Sequence, residues 1–419
     1  MNIFRAADIL LPQNSDYSKW SVVACDQYSS EPQYWEQAAA YVGDAPSTLK
    51  LIFPEAYLGE ENADERIKTI NATMRQYLAD GIFAEYPDAL IYVERTLSDG
   101  KTRRGIVGAI DLEKYDYSVG SQSAVRATEG TIVSRIPPRQ RIRRNAPIEL
   151  PHIIMLIDDR EKKIVEGVTA RKTELAKVYD FELMQDGGHI AGYILDDKAK
   201  AAVLRGLDKL EDKAGFEKKY GVKDKEVLVI AVGDGNHSLA TAKACWEELK
   251  PTLTDEQRNT HPARFALAEL GNLHDDSLEF EPIHRVVFGV DGDKIETALK
   301  AYYPQLSETD NGGQKITIVR GGIERAVYIS DAPSNLAVGT LQKFLDDYLA
   351  ENDGEIDYIH GADVVRSLAV ADNSIGFIVD AMEKDDLFMT VIKDGALPRK
   401  TFSMGEAHDK RFYLEAKKI

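Results

Sequence analysis

Val227-Leu-Val-Ile-Ala-Val-Gly233-Asp234-Gly235-Asn236-His237-Ser238 decides the fold class. The small and apolar residues before Gly233 suit a strand buried on both faces. Gly233 and Gly235 permit a tight turn with positive φ and close backbone approach. The residues from Leu239 to about Lys250 then suit a helix, capped by Ser238 or Asn236. A strand that ends in a glycine turn at a helix start belongs to an α/β protein. It also presents unpaired N–H groups and about half a positive charge, a setting that suits phosphate. Asp234 and His237 add groups that hold a metal or move a proton. The plainer alternative is a structural turn in which Asp234 caps and His237 is a surface residue.

The surroundings of this stretch bear the class out. Ala89–Leu97 and Thr102–Leu112 flank Ser98-Asp99-Gly100-Lys101, and Val178–Met184 and His189–Leu195 flank Asp186-Gly187-Gly188. Both read as hairpins. Trp20–Ala24, Ser47–Phe53, Ala263–Leu270 and His284–Phe288 read as strands, and Pro32–Tyr41, Ala63–Leu78 and Asp197–Asp212 as helices. Beyond Gly289 come a helix (Ile295–Tyr303), a hairpin (Lys315–Val319 with Arg325–Ile329), a helix (Leu336–Glu351) and a strand (Ser374–Asp380). The expected division is a core over 1–290 and a smaller C-terminal α/β domain over 291–419.

Composition narrows the function classes. With 419 residues, 43% of them hydrophobic, the chain can build more than one core. It has no apolar run of about 18 residues, so no membrane span is expected. A net charge of -18 argues against a general nucleic-acid surface. Cys25 and Cys245 are the only cysteines and form no zinc spacing, which fits a reducing cytoplasm. The N-terminus lacks the layout of a signal peptide. Nothing in the sequence speaks to oligomeric state.

Several strings carry candidate chemistry. The turn is not a P-loop, because GxxxxGK[ST] is absent. A dinucleotide fold stays open with Glu269 as ribose acid, although Ser238 stands where the third glycine belongs. A basic segment runs from Arg126 to Arg144, opening with Arg126-Ala-Thr-Glu129-Gly130-Thr131 and continuing through Arg135, Arg139, Arg141, Arg143 and Arg144. These arginines either clamp an anionic ligand or pair with the surplus carboxylates. Glu281-Pro282-Ile283-His284-Arg285 sets an imidazole beside a guanidinium, and Pro398-Arg399-Lys400-Thr401 offers a lysine and a hydroxyl.

Taken in order, these strings resemble a bacterial and archaeal family known as domain of unknown function ten-fifteen. That family is itself similar, distantly, to ParB-like proteins and free serine kinases. Its members carry Asp-Gly-His-His-Arg where this chain has Asp234-Gly235-Asn236-His237-Ser238. They carry Glu-x-Thr at Glu129–Thr131, Pro-Thr-His-Arg at Pro282–Arg285 and Pro-x-Lys-Ser/Thr at Pro398–Thr401. Ser47-Thr-Leu-Lys-Leu-Ile-Phe-Pro54-Glu55 fits as well. The resemblance implies a mixed-sheet α/β core of the ParB/sulfiredoxin kind.

It also implies an enzyme that transfers phosphate from ATP, ADP or CTP to a small hydroxyl metabolite such as free serine. The alternative is a non-catalytic nucleotide-binding regulator of the ParB type. In the enzyme, Asp234 binds Mg²⁺ or orients the hydroxyl, Glu129 is the base, and His237 is a phosphate donor or second acid–base group. Gly233, Gly235, Asn236, Ser238, Thr131, Arg135, Arg139, His284, Arg285 and Lys400 contribute to phosphate or nucleotide binding. Two departures stand out: Asn236 replaces a histidine and Ser238 replaces an arginine, which removes a fixed charge from the turn.

Overall fold

The computed structural model describes residues 3–419. The chain is a mixed α/β protein that divides into two compact units. One holds residues 1–127, 131–278 and 405–419, and the other holds 128–130 and 279–404.

The first unit is built on a ten-stranded mixed sheet. Its order is Ala176–Glu182, His189–Ile194, Ile91–Thr96, Thr102–Asp111, Phe265–Asn272, Ile154–Ile157, Ile230–Asp234, Val125–Ala127 and Tyr115–Asp116, with Phe4–Arg5 added against Thr102–Asp111. Strand residues alternate between two cores, as the period of two requires. Tyr92, Ile106 and Ile110 enter one core, while Ile91, Val93, Val107 and Ala109 enter the other. Both faces are therefore covered, which is why these strands are apolar almost throughout. A four-stranded sheet follows the order Phe83–Ala89, Ala7–Pro12, Ala416–Lys418 and Ile148–Glu149. The last residues of the chain thus pair with some of the first.

All three expected hairpins form, the third as Gln314–Arg320 with Ile323–Ile329. In the first, Leu97 N–H donates to Lys101 O at 2.8 Å and Gly100 takes a φ of +84°. Two expected strands do not form. Ser47 caps a 3₁₀ turn, Thr48–Lys50, by accepting from Leu49 N–H. Its hydroxyl also donates to Trp20 O at 3.2 Å. Within Trp20–Ala24 only an isolated bridge between Val23 and Arg411 appears. These runs are apolar because they are buried, and burial alone does not make a ladder. The basic segment, in turn, contains a short helix, Ile136–Arg143, entered through prolines at its first turn.

The second unit carries a seven-stranded sheet. Leu306–Ser307, Ile323–Ile329, Gln314–Arg320, Ser374–Val379, Phe280–Phe288 and Glu355–His360 lie in that order, every neighbouring pair antiparallel. Phe402–Met404 pairs with the start of Phe280–Phe288. Val286, Val319, Ile359 and Val365 form one of its cores. Among the described residues no helix is long and apolar enough to cross a membrane.

Candidate functional site

The strand Ile230–Asp234 lies between Ile154–Ile157 and Val125–Ala127, parallel to the latter. Its ladder with Ile154–Ile157 shifts register between Val232 and Asp234. Gly233 occupies the irregularity, the kind of place where a bulge redirects the following side chain. Gly235 then takes a φ of +82°, and a Cβ there would lie 3.1 Å from Ile153 Cα. Glycine takes that backbone sign without strain and leaves Ile153 uncrowded. The helix Asn236–Leu249 starts at once, with Gly235 as N-cap and no side-chain cap. The expectation that Ser238 or Asn236 caps it is corrected: both are inside the helix.

The turn's side chains are each engaged. Asp234 Oδ1 accepts from Gly235 N–H at 2.8 Å, and Oδ2 lies 3.1 Å from Lys410 Nζ. His237 Nε2 accepts from Ile132 N–H at 3.3 Å. Ser238 Oγ lies 3.2 Å from His152 Nε2. Asp26 joins this group from the N-terminal side. Desolvation pushes its carboxyl up, but His152, Gln27 and Lys410 together more than reverse that, and its pKa falls below the usual carboxylate value.

Beside the helix's first turn opens a pocket of about 160 Å³. Ser238, Thr241 and His152 line one part of it, and Leu51, Phe53, Met74, Ile142 and Leu150 give it apolar walls. The Arg139 guanidinium and the Glu55 carboxylate pair on its lining. Burial raises the Glu55 pKa, with Arg139 pulling the other way. The Cys25 thiol also lines the pocket, and burial keeps it well above its ordinary value. A second, enclosed cavity carries Asp234, Lys410, Arg103, Glu269, Tyr413 and Glu415 on its walls. His152 belongs to the lining of both.

The basic segment is mostly committed to carboxylates. Arg139 pairs with Glu55, Arg141 with Asp64, Arg143 with Glu149 and Arg144 with Glu248. Arg135 is exposed, and its carbonyl accepts from Arg139 Nη1 at 2.8 Å. Thr131 Oγ1 is buried without a hydrogen-bond partner among the described residues. Glu269, considered above as a ribose acid, is instead only 5% exposed. It takes Arg103 at 3.3 Å and the Tyr413 hydroxyl at 3.0 Å, so the dinucleotide reading loses its acid.

The other sequence candidates belong to the second unit. Glu129 bridges to Leu397, beside a 2.6 Å bond from Leu397 N–H to Thr128 O. His284 is buried and accepts from Val379 N–H through Nδ1. Burial, then the Arg285 charge, lowers its pKa. Arg285 is fully buried and donates to Gln342 Oε1, Ile283 O and Arg399 O. Lys400 is exposed, with a φ of +55°. The structure therefore gathers Asp234, His237, Ser238 and Arg139 in the first unit. Sequence reading missed Asp26, His152 and Lys410 there, and gave Glu55 no role. Glu55 closes the matched Ser47–Glu55 string, a signal that was available. Lys410 has none.

Solved structures resemble the chain only loosely. A free serine kinase in complex with AMP shares 13% identity at a TM-score of 0.36, covering 72% of this chain and 92% of that one. SbnI from Staphylococcus aureus, with a C-terminal truncation, gives 8% identity and 0.36, covering 74% and 81%. A conserved hypothetical protein from Pyrococcus furiosus gives 12% and 0.35, covering 75% and 94%. Scores at this level carry none of those proteins' ligands over to this chain. Comparison with curated protein sequences returns no match. A family model does match, over residues 7–360, and the chain belongs to that family, described as Protein of unknown function (DUF1015).

Proposed function

We propose that the first unit is a nucleotide-dependent phosphotransferase acting on a small hydroxyl metabolite, with free serine the first acceptor to try. One observation carries this reading: Asp234 and Lys410 meet at a helix start that has no side-chain cap. The first turn of a helix carries N–H groups and positive potential that favour phosphate. Lys410 adds the full cation that Ser238 cannot supply where the family carries arginine. The neighbouring pocket gives room for the organic part of a ligand.

Asp234 and Asp26 both lie in the field of Lys410 and would hold Mg²⁺. Among the described residues no three or more His, Cys, Asp or Glu side chains group as a metal cage. Two carboxylates fit an ion whose remaining ligands come from substrate phosphate and water. Bound there, Mg²⁺ neutralises charge on the transferring phosphoryl group. The residues' own tasks are positioning: the helix start orients phosphate oxygens and Lys410 offsets their charge.

A second reading, a non-catalytic nucleotide-binding regulator of the ParB-like type, has one observation in its favour. Arg139, Arg141, Arg143 and Arg144 are each paired with a carboxylate, which leaves few fixed cations for a transition state. Incubation with ATP, ADP or CTP, serine and Mg²⁺, followed by phosphorus NMR, separates the two. A new phosphomonoester resonance supports the transferase. Binding without turnover supports the regulator, and neither binding nor turnover removes both.

A further inference from the structure

Phosphate binding leaves His152 without a task, yet its surroundings are specific. Nε2 stands 3.2 Å from Ser238 Oγ. The ring packs edge-on against Phe412, centroids 4.8 Å apart at 70°, which fixes its plane. Asp26 lies near enough to feel the imidazole's charge. Ser238 sits in the first turn of a 14-residue helix, reached from a buried strand through a left-handed glycine. Ser238 is the third residue of that helix, just past the turn, and its side chain lines the pocket. The helix start also favours negative charge developing on an oxygen nearby. Ser238 and His152 both line the open pocket of about 160 Å³, whose walls include Leu51, Phe53, Met74, Ile142 and Leu150. The Cys25 thiol lies on the same lining, but it is Ser238 Oγ that has the imidazole nitrogen at 3.2 Å.

We propose that Ser238 and His152 form a nucleophile–base pair that hydrolyses esters of short apolar acyl groups. With its proton on Nδ1, His152 accepts the Ser238 hydroxyl proton at Nε2 as Oγ bonds to the acyl carbon. The carbonyl π pair moves onto oxygen. Collapse of that adduct breaks the bond to the leaving alcohol, which takes the proton from Nε2. Water then attacks the acyl-serine, again giving its proton to His152, and the acid leaves as Ser238 regains its hydrogen. One ester and one water enter; one alcohol and one carboxylic acid leave. Apolar walls set the acyl class, since the charges on the lining are already paired with each other, Arg139 with Glu55 and Arg143 with Glu149. The activity goes beyond phosphotransfer and does not depend on it.

The test treats the full chain with a fluorophosphonate probe and maps the modified peptide by mass spectrometry. Hydrolysis of p-nitrophenyl butyrate is followed in parallel. The expected result is a single label on Ser238, lost in Ser238→Ala and slowed about 100-fold or more in His152→Gln. No label on Ser238, or equal labelling in His152→Gln, overturns the proposal. Should His152→Gln fail to fold, labelling of the unmodified protein at Cys25 or another residue in place of Ser238 overturns it equally. Nucleotide turnover is not read in this assay, so the fate of the phosphotransferase reading is decided separately.

Discussion

Lys410 Nζ lies 3.1 Å from Asp234 Oδ2, so a residue of the C-terminal segment supplies the cation at the mid-chain turn. The two side chains are 19% and 25% exposed, wet enough that the pair contributes little to stability. Its worth lies in charge placement. Lys410→Met should change stability by less than about 1 kcal/mol. It should weaken nucleotide binding roughly tenfold, or about 1.4 kcal/mol. Calorimetric titration with ADP alongside thermal melting checks both. A large loss in Tm with unchanged affinity would make Lys410 a structural residue only.

Gly235 makes the turn possible, and its replacement tests the turn's geometry. Gly235→Ala meets a φ of +82° and a Cβ contact of 3.1 Å to the Ile153 backbone. The expected loss is about 1–3 kcal/mol in urea unfolding. An unchanged midpoint would mean that this backbone conformation is not required.

The inner cavity predicts a pH dependence. Glu415 is 2% exposed, and burial, with the Glu269 charge assisting, pushes its carboxyl up to about 7. An unfolded glutamate titrates near ~4.3. Between those values the folded state holds a proton that the unfolded state has released. Stability should therefore fall as pH rises from about 4.5 to about 7, by up to about 1.4 kcal/mol per unit, and level off above. Glu415→Gln keeps an acceptor for the Tyr179 hydroxyl, which donates to Oε1 at 2.6 Å. It should abolish this component and be the more stable form at pH 8. Denaturant midpoints of both proteins across that range read it directly.

What was legible in the sequence follows how local each signal is. The hairpins at Ser98–Lys101 and Asp186–Gly188 were readable because turn chemistry is written in a few adjacent residues. The strand and helix around Gly233 and Gly235 were readable for the same reason, although the strand proper is Ile230–Asp234 and the helix begins earlier, at Asn236. Trp20–Ala24 and Ser47–Phe53 misled because an apolar run reports burial and not its ladder partner. The arginines of the basic segment were countable, but which carboxylates they meet depends on Glu55, Asp64, Glu149 and Glu248, remote in sequence. His152, Asp26 and Lys410 reach the turn only through folding. No spacing along the chain encodes that meeting.

The central claim is that the bend behind Val232 grips an anion, and amide NMR addresses it most directly. With ¹⁵N-labelled protein titrated with inorganic pyrophosphate and then ADP, the account predicts saturable shifts at the amides of Gly235, Asn236, His237 and Ser238. The same shifts should weaken in Lys410→Met. Amides at this turn that stay fixed while others respond, or that ignore both ligands, would contradict it.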